Sequence, residues 1–94
     1  MSSEITAWVV TVRFHEETLT EINELSNHLT RAGFTLVLND DEGNVHELGT
    51  NTFGLLSMQN ADEVKALSAS LAETALGRAV DVTVSTFSEW IKAQ

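Results

Sequence analysis

The chain has 94 residues, 43% of them apolar, with no cysteine and no proline. Five basic side chains (Arg13, Arg31, Lys65, Arg78, Lys92) face fourteen acidic ones, for a net charge of −9. These figures exclude a disulfide framework, a thiolate metal site and the lysine–arginine surface on which durable nonspecific binding to DNA or RNA rests. An encounter with RNA at a small local site stays open, as does a basic protein partner steered by the acidic field. The expected unit is one domain over 1–94. No apolar run nears the roughly 18 residues of a membrane span. Met1-Ser2-Ser3-Glu4 lacks the basic and apolar regions of a signal peptide. The expected location is the cytoplasm, with neither DNA nor a membrane as partner.

From the N-terminus, Trp8, Val10, Val12 and Phe14 alternate with Val9, Thr11 and Arg13. Period two and β-branched residues predict a strand. Thr18 and Glu21 have capping-box spacing, and behind them Ile22, Leu25, Leu29 and Ala32 share one helical stripe. Gly33 stands where a helix-ending glycine belongs. Phe34 to Leu38 predicts a second strand, with Phe34, Leu36 and Leu38 on one face. Asn39-Asp40-Asp41-Glu42-Gly43-Asn44 reads as a turn. A calcium loop built around Gly43 would need ligands at Leu38 and Gly49, and neither has a side-chain oxygen. Val45 to Leu48 either pairs back as a short strand or is irregular.

Thr52 to Met58 predicts a further strand, in which Gly54 marks a weak point or a close approach. Asn60 and Glu63 cap a second helix with the stripe Val64, Leu67, Leu71 and Ala75, flanked by Ala72 or Leu76. Val80, Val82 and Val84 form a last strand, and Thr86 with Glu89 opens a short C-terminal helix carrying Trp90 and Ile91. The expected fold is α+β: a ferredoxin-like βαββαβ sandwich with strand order 4-1-3-2 and both long helices on one face of an antiparallel sheet. Val10, Val12, Leu36 and Val82, or their strand-mates, are expected against the helices. Val9 and Val37 are expected on the helix-free face, a surface suited to a homodimer.

Several residues carry candidate chemistry. His15 follows the first strand beside Arg13, Glu16 and Glu17. It is either a general acid or base or a solvated loop histidine. His28 and Arg31 are helix neighbours that either hold a phosphate or flank the stripe. Phe53 and Trp8 are either stacking platforms for bases or core residues. No phosphate-cradling glycine loop, zinc spacing or serine elbow occurs. No metal or cofactor is expected.

Four stretches together resemble the GhoS-type antitoxins of type V toxin–antitoxin systems. They are Trp8-Val9-Val10-Thr11, Asn39 to Val45, Leu48 to Phe53 and Val82 to Trp90. The resemblance covers nearly the whole chain. It implies a ferredoxin-like fold and a cofactor-free endoribonuclease acting on the messenger RNA of a small membrane toxin. Asn51 and Phe53 are the matched positions it points to, and local chemistry adds Arg13 for RNA binding. His15, His28 and Arg31 are the expected catalytic set. The chain departs from the family at Glu24 and Ser26, where the family's first helix carries arginines, and at Arg13, near which the family has an acid. The alternative reading is a non-enzymatic interaction domain of the same fold, which dimerises or binds a protein.

Overall fold

The computed structural model describes residues 5–13, 19–49 and 51–93. Phe14, His15 and Thr18 lie outside them, so the end of the first strand, one catalytic candidate and half of the first capping box do too. The elements in order are β1 (Thr6–Arg13), α1 (Leu19–Arg31), β2 (Val37–Asn39), β3 (Val45–Glu47), β4 (Thr52–Ser57), α2 (Ala61–Leu76), β5 (Asp81–Thr86) and α3 (Phe87–Lys92). β1 is the middle of a three-stranded antiparallel sheet, β4-β1-β5, while β2 and β3 form a separate antiparallel pair. The architecture is α+β.

Alternation along β1 sorts its side chains between two cores. Val10 and Val12 join Phe53, Leu55 and Val82 against Leu25 and Leu29 of α1 and Val64 and Ala72 of α2. Both long helices therefore cover the same face. α2 is turned from its expected stripe. Val64, Ser68, Ala72 and Ala75 are its buried residues, and Leu67 is exposed. Small side chains at Ser68, Ala72 and Ala75 suit a close approach of this helix to its neighbours. The Ser68 hydroxyl is satisfied by donating to the Val64 carbonyl at 2.7 Å. Capping boxes form as expected at Asn60–Glu63 and Thr86–Glu89.

The second face is not open. Val9 is 1% exposed, packed with Leu38, Leu48 and Phe87, and with Ala7, Trp90 and Ile91 at the margin. The β2–β3 hairpin and α3 supply that cover. The expectation of Val9 as a dimer contact is thereby corrected: this chain's own segments bury it. Val37 stays exposed.

The second expected strand also differs. Phe34 enters the first core and Leu38 the second, while Leu36 between them is 48% exposed. A flat strand cannot place residues i and i+4 on opposite faces, so the chain must cross the sheet edge here. Thr35 exchanges two 2.8 Å backbone bonds with Gly54. Its hydroxyl then donates to the Val37 carbonyl at 2.8 Å, and the chain bends over the second face. The sheet order thus realises the third–first–fourth part of the expected sequence of strands, and the second segment meets β4 through the Thr35–Gly54 bridge. Gly54 is the close approach. A Cβ built there would lie 2.7 Å from Leu38 Cγ and 2.9 Å from both its methyls.

Candidate functional site

The described site candidates fall into two neighbouring pairs, Arg13 with Asn51 and His28 with Arg31, and one interior residue, Phe53. Arg13 is exposed at the end of β1, opposite Asp81. Asn51 lies beside it in the sheet: its backbone carbonyl accepts from Val12 N at 3.0 Å, and its side-chain amide donates to the Val12 carbonyl. That residue acts as a clasp between β4 and β1. Phe53 is 0% exposed at the centre of the first core and offers no face for a base to stack on, which corrects its expected RNA-binding role. Trp8 packs against the same core.

His28 is half-buried, with Nδ1 3.2 Å from the Glu24 carbonyl of its own helix. Arg31 is exposed in the last turn of α1. At about 1.5 Å per residue, it lies roughly 18 Å along the helix from the start of α1. Arg78 is ion-paired with Glu21. Of the expected catalytic set, His28 and Arg31 are therefore neighbours at the C-terminal end of α1, and His15 lies outside the described residues.

A different pair is assembled on the hairpin. Asp40 Oδ1 accepts from the backbone N–H groups of Glu42 and Asn44, each at 2.9 Å. These bonds close the loop, and Gly43 at φ 84 supplies the left-handed residue that a tight return needs. Oδ2 accepts from His46 Nε2 at 2.9 Å and from Asn44 Nδ2 at 3.3 Å. The His46 contact first, then the Asn44 backbone bond, lowers the Asp40 pKa from 3.8 to about 2. An ionised Asp40 only accepts, so His46 Nε2 carries the hydrogen. Nδ1 is then the ring nitrogen with the free lone pair in neutral imidazole.

The imidazole is also fixed from the other side. Its ring stands edge-on to Phe87 (centroids 5.5 Å apart, 78° between planes) and to Trp90 (6.4 Å, 90°). Those two rings stack on each other at 6.0 Å. α3 presents them because Thr86 Oγ1 accepts from Glu89 N at 3.2 Å and the Glu89 carboxylate accepts from Thr86 N. Asp40 and Phe87 also line a cavity of about 410 Å³ shared with Ala7, Asn39, Asp41 and Ile91. Carboxylate, imidazole and two aromatic rings, all from segments covering the second face, make a half-buried site able to take up a proton from a bound group. Among the described residues no cluster of three or more histidine, cysteine or acidic side chains could hold a metal.

Local sequence does not single out His46, which falls in the short segment Val45 to Leu48. One signal was present: Asp40 and His46 flank a glycine turn, within diagonal reach of each other once the arms pair.

Comparison with known proteins covers the whole described chain. The family model described as Endoribonuclease GhoS matches residues 1–93. A protein of Escherichia coli K12 called "Uncharacterized protein YdiZ" is 53% identical over 89 residues, which is 95% of this chain and 93% of that one. Its counterpart of the same name in Escherichia coli O157:H7 matches to the same extent.

Proposed function

The chain belongs to the GhoS endoribonuclease family, and from that premise we propose that it is an antitoxin that cuts the messenger RNA of its cognate toxin. The observation that carries this reading is the family match, which spans residues 1–93. The chemistry is within reach of a small protein, because RNA brings its own nucleophile. Cleavage at the 2′-hydroxyl needs a positioned base and stabilisation of the charge that develops on phosphorus. The protein works without a bound cofactor, in the cytoplasm, where messenger RNA is met. No helix among the described residues is long and apolar enough to cross a membrane. At −9, the protein holds its RNA through a few local contacts rather than a basic groove. We also take the Thr35–Gly54 bridge as the remnant of the second strand of a ferredoxin-like sheet, at the edge beside β4.

The experiment is incubation of highly purified protein with a panel of messenger RNAs, chelator present. Cutting at a few sites in one or a few messages is expected. No cutting across the panel overturns the reading.

One observation favours the alternative, a protein-interaction domain. Leu56 lies across from Ala7 on the second face, and Ile5 and Met58 lie one step beyond the paired residues Thr6 and Ser57. Ile5, Leu56 and Met58 are all exposed. An apolar strip beside the edge strand β4 is a surface on which another chain could dock.

A further inference from the structure

Within the ribonuclease reading, on which this inference rests, the reaction needs one group that takes the 2′-hydroxyl proton and is held still while doing so. His46 meets both conditions among the described residues. Nε2 is committed to Asp40 at 2.9 Å, and the ring is fenced by Phe87 and Trp90. Nδ1 is left to exchange a proton, and the residue is half-buried rather than sealed. Among the described residues no carboxylate orients His28: the group beside its Nδ1 is the Glu24 carbonyl of its own helix. The cavity that shares Asp40 and Phe87 has an apolar floor at Ala7 and Ile91 and acceptors at Asn39 and Asp41. That lining suits a base presenting amino groups and disfavours a phosphate beside Asp40 and Asp41.

We propose that His46 is the general base of RNA cleavage and that Asp40 is its positioning residue. In the step, the 2′-hydroxyl proton passes to His46 Nδ1 as O2′ forms a bond to phosphorus. The bond from phosphorus to O5′ breaks, and O5′ takes a proton from water. The hydroxide so formed takes the proton back from His46, so the ring is restored. The products are a 2′,3′-cyclic phosphate and a 5′-hydroxyl. Asp40 stabilises the imidazolium formed midway, as a carboxylate beside a histidine base does.

The test uses the whole protein and an RNA that it cuts. His46→Gln is expected to lower kcat by about 100-fold or more, the usual contribution of a positioned base. Asp40→Asn is expected to lower kcat with KM unchanged, because the amide side chain keeps the loop-closing acceptor and loses the charge facing the ring. Cooperative thermal unfolding of each variant confirms that the fold is kept. A second measurement needs no variant. With wild-type protein, a substrate carrying a single 2′-deoxynucleotide at the cut site should resist cleavage, and products should end in 2′,3′-cyclic phosphate. Wild-type protein that leaves 5′-phosphate ends, or cuts the 2′-deoxy site, overturns the proposal. So does His46→Gln that cuts as fast as wild type, and in that case the ribonuclease reading survives. Wild-type protein that cuts no RNA overturns both.

Discussion

Asp40 divides two tasks between its two oxygens. Oδ1 closes the hairpin loop, and Oδ2 holds His46. Because its pKa falls from 3.8 unfolded to about 2 folded, Asp40 adds stability whenever it is ionised in both states. That contribution is complete above 3.8 and is lost as pH falls through the folded value of about 2. Asp40→Asn should therefore be less stable than wild type at neutral pH. The gap between the two in urea midpoint should narrow below pH 3.8 and close near pH 2. A gap that is constant across that range would mean the charge contributes nothing. Gly54 is the other residue whose chemistry is dictated by a neighbour. Gly54→Ala places a methyl inside the van der Waals envelope of Leu38, and overpacking of this kind costs about 1–3 kcal/mol. Equilibrium urea denaturation would read it.

At the scale of elements, the second-face cover depends on how α3 begins. Thr86→Ala removes an N-cap acceptor, a loss worth about 1 kcal/mol. Phe87 and Trp90 are on the first turn of that helix, so the same change should loosen the wall behind His46. A red-shifted tryptophan emission accompanying the lower stability would show it; an unchanged emission would mean the helix is held by its apolar contacts alone. Most elements were legible because their causes are local. Capping boxes at Asn60–Glu63 and Thr86–Glu89, and the alternation of β1, are written in neighbouring residues. The segment Phe34–Leu38 was not legible. Its alternation is that of a flat strand, but Phe34 and Leu38 serve opposite cores, and only the tertiary route over the sheet edge shows this. The site was less legible still. Asn51 is close to Arg13 as part of a strand clasp, Phe53 is interior, and the pair Asp40–His46 exists because a loop brings it together. Periodicity reports which residues are apolar on a face; it does not report which segment arrives to cover that face.

For the whole molecule, the covered face and the net charge set the last two tests. Val9→Asp is a test of folding rather than of association, since Val9 is sealed by Leu38, Leu48 and Phe87. A charge there has no partner, and burial without one is strongly destabilising, so the expected outcome is loss of cooperative folding. Salt separates the two functional readings. Copies carrying −9 each repel one another, and screening that repulsion within a Debye length of about 8 Å at physiological ionic strength lets apolar surfaces meet. Association through Ile5, Leu56 and Met58 should therefore strengthen with salt and be lost in Leu56→Asp. RNA cleavage should respond in the opposite sense, because its few phosphate contacts are ionic and release counterions on binding. Sedimentation and cleavage assays run over one salt series would resolve the two. Cleavage that falls with salt while the sedimentation coefficient stays constant supports the enzyme acting as a single chain. A sedimentation coefficient that rises with salt, with no RNA cut at any concentration, supports the interaction domain instead.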